Sequence, residues 1–400
     1  MSPNDKTTAI YAQVGVSHQK EDVHAAIKNV DQGLYPNAFC KIIEDIALDP
    51  AYCSIMHADG AGTKSTIAYM MHKQTGNLKY FRNLAQDSVV MNTDDVLCVG
   101  AKDAFLLSNT IGRNRKLISK EIVGAIIQGY EQFLTKLQKM GLNIRSCGGE
   151  TADIGDLVRT IVVDSTLIAR MKRKDVINPE SIQVGDVIVG LSSAGQATYE
   201  DEFNSGIGSN GLTLARHGLL GDEYKKFEEC YSPEIDSKWV FFGTHKLTDP
   251  LPNTPLTIGD ALLSPTRTYA PILLKLFQQD YSAIHAIYHN TGGAQSKCLK
   301  YGCGLHYIKD NLFPIPSLFI AIQKSSHTPW KEMYQVFNMG HRMEIICSEK
   351  YALEHIIPIA QSFKVQAQIV GRIAENSTST TNQLTIKSTE GTFQYHSNPC

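Results

Sequence analysis

The sequence predicts a mixed α/β (α+β) chain in two halves. Three observations carry the prediction. Helix-like and strand-like patterns alternate through the first part and return in the last part. A polar stretch containing Pro179, "KRKDVINPESIQVGD", separates the two runs. The length of 400 residues suits two domains of ordinary size.

The elements follow in order. "EDVHAAIKNV" reads as a short helix, and "YCSIMHA" as a strand running into "HADGAGTKST". Over 119–140, Ile122, Ile126, Tyr130, Leu134 and Leu137 recur on one face, and Gly141 is the expected stop. "RTIVVDSTLIARM" is a strand by its β-branched content. After the linker, "DVIVGLSS" opens the second half as a strand, and 194–208 is a glycine-containing loop. "APILLKLFQQ" is a helix with Pro271 in its first turn. "RMEIIC" and "AQIVGRI" are strands flanking the helix "LEHIIPIAQSF", and "LTIKSTEGTFQY" is a hairpin turning at Gly391. The boundaries read as 1–172, 173–386 and a tail, 387–400.

Composition narrows the function classes. Hydrophobic residues make up 42% and charged residues 20%, and the net charge is -2. No basic patch offers the clustered Lys and Arg that phosphate backbones require, so nucleic acid is not expected as a partner. The 9 cysteines are scattered without metal spacing, and neither a signal peptide nor a membrane span is visible. The expectation is a cytoplasmic protein acting on small molecules.

Several short stretches carry chemistry. "HADGAGTKST" resembles a phosphate loop, but Gly60, Gly62, Thr63 and Lys64 are too closely spaced for a Walker A wrap. Asp59 offers a carboxylate to Mg²⁺, and Lys64 offers a point charge to phosphate. The plainer alternative is a strand-to-helix turn with a solvated lysine, and on this stretch alone it carries more weight. "GIGSNG" spells a dinucleotide fingerprint but follows a polar loop rather than a strand. Ser209, Asn210 and Gly211 either offer N–H groups to an anion at a helix start or cap that helix. "AQDSVVMNTDDVLCVGA" sets Asp87 and Asp94 about two turns apart on one helical face, with Asp95 beside them. Three acids in apolar surroundings make metal binding competitive with a solvated face. "CGGETADIGD" follows Gly148 and Gly149 with Glu150 and Thr151, and "YHNTGGA" sets His289 before Thr291, Gly292 and Gly293.

Taken in order, "YAQVGVS", "DGAGTK", "MNTDDVLCVGA", "GGETAD", "SNG", "LLSPTR", "HNTGGA" and "MYQVFNMGHRM" resemble the phosphoribosylformylglycinamidine cyclo-ligase (AIR synthetase) family from about residue 11 to residue 373. The resemblance implies two α/β domains, the first pairing across a homodimer to close a barrel of strands. It implies ATP-dependent ring closure of formylglycinamidine ribonucleotide, with ATP and Mg²⁺ bound. Asp59, Asp94, Asp95 and Glu150 would then hold metal. Gly60, Gly62, Thr63, Lys64, Asp87, Gly148, Gly149 and Thr151 would bind ATP. Ser209, Asn210, Gly211, Thr291, Gly292 and Gly293 would bind substrate, and Lys64, Asp95 and His289 would act at the reacting centre. The alternatives are another ATP-dependent enzyme of the same superfamily and a nucleotide-binding protein without catalysis.

The chain departs from the family pattern at three places. Many members carry His at the position of Gly208, and Tyr199, Glu200 or Glu202 of the apparent insertion "GQATYEDEFNSGI" are the candidates to replace it. "LYPNAFCK" occupies the place of a glycine-rich segment, and Asp94 replaces a common Asn.

Overall fold

The structure is a computed structural model describing residues 9–17, 26, 30–376 and 381–399. The helix expected over 21–30 lies almost wholly outside the described residues.

The first half builds a five-stranded sheet from β1 (Ile43–Glu44), β2 (Tyr52–Gly60), β3 (Ala104–Arg113), β4 (Ile144–Asp153) and β5 (Ile161–Lys172), in the order β1-β2-β5-β3-β4. β3 and β4 run parallel and the other pairs antiparallel. After the short helix α1 (Ile10–Gln13), three longer helices follow: α2 (Lys64–Thr75), α3 (Lys79–Leu97) and α4 (Lys120–Lys139). α4 has the expected apolar face, and Gly141 takes φ +99° to leave it, a left-handed conformation that glycine adopts without strain. α3 differs: every residue from Asp87 to Leu97 is buried. A helix that is buried on nearly all sides needs neighbours on all sides. β2, β5 and α4 supply them from its own half.

The second half builds a seven-stranded sheet from β6 (Val187–Ser192), β7 (Ile284–His289), β8 (Leu305–Lys309), β9 (His341–Cys347), β10 (Ala367–Glu375), β11 (Thr381–Ser388) and β12 (Gly391–Pro399). Its order is β12-β11-β8-β10-β6-β9-β7. β6 and β9 are buried at every position, which suits the apolar run of β6, while β9 buries His341, Arg342 and Glu344 as well. α5 (Leu212–Leu219), α6 (Ile258–Leu262) and α7 (Ala270–Leu276) precede β7, and α7 and β7 pack onto α3. Of the segment set apart as a tail, 387–400, the described residues 387–399 instead complete β11 and form β12, pairing along β11 from Ser388 opposite Gly391.

The two sheets contrast in cover. In the first sheet, Met56 pairs with Ile168, which pairs with Leu106. Met56 is 65% exposed and Leu106 45% exposed, so this apolar row lies on a bare face.

Candidate active site

The stretch "HADGAGTKST" is the turn from β2 into α2. Gly60 ends the strand, Gly62 takes φ +57°, and Lys64 opens the helix. Gly60 admits no side chain, because a Cβ there would stand 1.7 Å from Asp164 Oδ1. Lys64 is not solvated as the plainer reading has it; it is fully buried. Its ammonium donates to Asp87 Oδ1 at 2.7 Å, to the Ser264 carbonyl at 2.5 Å and to the Gly208 carbonyl at 3.2 Å. Those three acceptors use all three protons of the group. Burial pulls its pKa below the ordinary value, against the opposing charge of Asp87. Asp87 Oδ1 also accepts from Thr266 N at 2.8 Å and Thr266 Oγ1 at 2.6 Å. The pair thus pins the "SPTR" segment of the second half to α3 of the first.

Asp94 makes a second pin two turns along α3. Its carboxylate takes the Thr268 hydroxyl at 2.7 Å and the Tyr269 N–H at 2.8 Å. Burial pushes its pKa up, although both hydrogen bonds oppose the shift. Both oxygens of Asp94 are thus engaged by protein donors from the second half.

Asp95, next in sequence, lies between two histidines. His289 Nδ1 is 2.6 Å from its Oδ1, and His57 Nε2 is 3.5 Å from its Oδ2. Burial opposes the charge, but hydrogen bonds from His289 and His57 hold the Asp95 carboxyl well below the usual carboxylate range. Arg342 Nε donates to His289 Nε2 at 3.0 Å, so the nitrogen of His289 that faces Asp95, Nδ1, is the one that donates. Asn92 Nδ2 donates to the carbonyls of Asp59, Ser88 and Ser165. Its Oδ1 therefore accepts from His57 Nδ1 at 2.9 Å, while His57 Nε2 faces the carboxylate. With Nδ1 donating and Nε2 facing a carboxylate, the surroundings favour the imidazolium form. Burial disfavours that form, yet the bond and charge of Asp95, with Asn92, raise the His57 pKa above its ordinary value.

The loop over 194–208 is clamped. Arg267, 1% exposed, holds both oxygens of Glu200 and donates to the carbonyls of Ser192, Ala194 and Gly195. Tyr199 donates to the Thr268 carbonyl at 2.7 Å. Tyr199 and Glu200 therefore build the loop, and the Glu202 side chain, 64% exposed, faces Lys79 at its rim. Position 208 disfavours a histidine: Gly208 takes φ +69°, strained for a residue with a side chain, and a Cβ there would lie 2.9 Å from Arg342 Nη1. Neither Ser209 nor Asn210 caps α5. Left-handed Gly211 stands at the cap position, and Ser209 Oγ turns to Thr266 Oγ1 and Asp87 instead.

The fold thus gathers Gly60, Gly62, Thr63, Lys64, Asp87, Asp94, Asp95, Ser209, Asn210, Gly211 and His289 where the halves meet. Thr63 Oγ1 touches Thr213 Oγ1 at 3.0 Å across that seam. Thr291 bonds Lys297, whose ammonium lies 4.7 Å above the Phe39 ring, so "LYPNAFCK" packs on this side. Gly62 and Gly292 face open space, with no atom within 4 Å of a built Cβ. Gly148, Gly149, Glu150 and Thr151 are not brought in. Asp59 is opposite Ser165, Ser165 opposite Asn109, and Asn109 opposite Gly149, so three strand spacings, about 14 Å, separate β2 from β4. Among the described residues, no group of three or more His, Cys, Asp or Glu is arranged to hold a metal ion.

Sequence reasoning assigned no role to Arg342, His57, Asn92, Arg267, Thr266 or Asp164. Arg342 and Arg267 were visible as charges within "HRMEIIC" and "SPTR". Asp164 stands opposite Gly60 across β2 and β5, and burial together with the Asp59 charge raises its pKa.

The chain was compared with known proteins. Family models match at residues 40–171 (AIR synthase related protein, N-terminal domain) and 183–381 (AIR synthase related protein, C-terminal domain). A phosphoribosylformylglycinamidine cyclo-ligase of Methanocaldococcus jannaschii is 29% identical over 81% of this chain and 79% of its own. The protein of that name from Methanococcus vannielii is 30% identical over the same shares. Among solved structures, Thermotoga maritima PurL complexed with ADP matches with TM-score 0.54 and 15% identity, over 94% of this chain and 47% of that one. PurL complexed with FGAR matches with TM-score 0.55 and 14% identity, over 96% of this chain and 52% of that one. At such identity these two show the fold alone. With models matching both halves and a relative 30% identical over most of both lengths, the chain belongs to the AIR synthase related family.

Proposed function

We propose that the chain is an ATP-dependent cyclo-ligase of purine biosynthesis, closing formylglycinamidine ribonucleotide to aminoimidazole ribonucleotide. The observation that carries this reading is the likeness to archaeal proteins of that name over about four-fifths of both chains. In this reaction the amide oxygen of the substrate takes the γ-phosphoryl group as its bond to ADP breaks. The internal amine then bonds the same carbon, loses its proton, and phosphate departs with the oxygen. ATP supplies the phosphoryl group, and Mg²⁺ neutralises charge on it.

The donor set fits these ligands. Asp59 stands at the end of β2 beside the turn into α2, and Mg²⁺ commonly takes one or two carboxylates plus phosphate oxygens. The backbone around Gly62 and Gly292 is open to a ligand, and the substrate phosphate suits Ser209, Asn210 and Gly211 at the start of α5. Lys64 and Asp87 keep the 264–266 and 208–209 segments in place. Asp95 holds the proton of His289 on Nδ1 and thereby fixes the ring. Gly148, Gly149, Glu150 and Thr151 are too far across the sheet to join within one chain, and the proposal brings them in only through a second copy. The bare row Met56, Ile168 and Leu106 supports a homodimer through that face. No helix among the described residues is long and apolar enough to cross a membrane, and the proposal places the reaction in the cytoplasm.

The test is turnover. Purified protein with ATP, Mg²⁺ and formylglycinamidine ribonucleotide is expected to release one ADP per aminoimidazole ribonucleotide. Nucleotide binding without product would favour a non-catalytic role.

A further inference from the structure

Arg342 of β9 is 1% exposed, yet only two of its three nitrogens are used. Nε donates to His289 Nε2, and Nη2 donates to the Arg267 carbonyl. Nη1 is buried without a hydrogen-bond partner, and among the described residues no carboxylate forms an ion pair with this guanidinium. A buried cationic group with free donors is costly unless an acceptor meets it. What stands beside Nη1 is the backbone of Gly208, between left-handed Gly206 and Gly211, with no side chain in the way. The other cation at Gly208, Lys64, has no donor left to give.

We propose that Arg342 Nη1 is a ligand-binding group that takes a phosphoryl oxygen of the bound substrate or nucleotide at the Gly208 wall. A guanidinium suits that acceptor because its donors are planar and fixed in direction. The neighbouring orphans fit a polar ligand as well. Asn290, whose N–H bonds the Arg342 carbonyl at 2.6 Å, has both side-chain polar atoms buried and unpaired, and Asn210 Oδ1 is unpaired too. A histidine at 208 would bring its Cβ within 2.9 Å of this guanidinium, so the two groups compete for one place. The assignment rests on the reading of the site as one that handles phosphate.

The experiment is calorimetric titration of the wild type and R342Q with matched pairs of probes: formylglycinamidine ribonucleotide against its ribonucleoside, and a non-hydrolysable ATP analogue against ADP. R342Q is expected to cut the preference for the more phosphorylated member of at least one pair about tenfold or more. A purely structural role would weaken both members alike, so unchanged preferences in both pairs overturn the proposal. If R342Q does not fold, R342K is read in the same way. If the wild type binds none of these probes, the cyclo-ligase reading fails first. Inorganic pyrophosphate then tests Arg342 alone: binding that R342Q loses supports the assignment, and its absence in the wild type overturns it.

Discussion

Lys64–Asp87 and Asp95–His289–Arg342 are two buried polar assemblies, both anchored on α3 and both touching Gly208. The first is closed at its cation: every Lys64 proton has a protein acceptor. The second ends on a free donor, Arg342 Nη1. The difference separates structure from binding. Asp87 Oδ2 is itself buried without a hydrogen-bond partner, so the contrast lies in the cations: one with every donor used holds the fold together, whereas one with a free donor can take a ligand.

The contrast breaks most readily at the closed assembly. Lys64→Met leaves Asp87 charged, buried and uncompensated, and should cost about 3–5 kcal/mol of stability in urea unfolding. A loss below about 1 kcal/mol would show that the pair is not the anchor described. The adjacent acids sharpen it further. Asp95→Asn frees both histidines and is expected to reduce turnover on the order of 100-fold through misplaced groups. Asp94→Asn, at a carboxyl already biased by burial toward its neutral form, should cost about 1 kcal/mol and keep most activity. Activity assays that rank the two variants the other way round would contradict the division between a positioning Asp95 and a structural Asp94.

A third prediction concerns the bare sheet face. Leu106→Glu places a charge in the exposed row and should shift the sedimentation coefficient from dimer to monomer at micromolar concentration. An unchanged dimer would place the interface elsewhere.

The smallest effect is a pH dependence. The folded-state pKa of His57 is raised, so its contribution is full below the unfolded value of about 6.5 and fades as pH rises through the raised value. His57→Gln should remove about 1 kcal/mol or less of stability below that window and none above it. Parallel stability profiles for the two proteins would mean that His57 is not charged in the fold.

Much of this was legible in the sequence. Periodicity gave the helix over 119–140, the strands around "YCSIMHA" and "DVIVGLSS", and the shared face of Asp87 and Asp94. What those acids hold was not legible, because Thr266, Thr268 and Tyr269 come from the other half of the chain. Strand order was equally invisible: nothing local in "GGETAD" tells that β5 and β3 separate it from Asp59. Ser209 and Asn210 read as caps by propensity, but competing acceptors at Asp87 and Thr266 drew the Ser209 side chain away. The proton placement on His57 and His289 follows from what Asn92 and Arg342 donate, and no local pattern encodes it.

The central claim is that the amide oxygen of formylglycinamidine ribonucleotide is phosphorylated and leaves as phosphate. Substrate labelled with ¹⁸O at that amide oxygen, turned over with ATP and Mg²⁺, tests it directly by the ³¹P isotope shift of the released phosphate. The account predicts one ¹⁸O in the phosphate for each aminoimidazole ribonucleotide formed. Phosphate free of label alongside that product would contradict it.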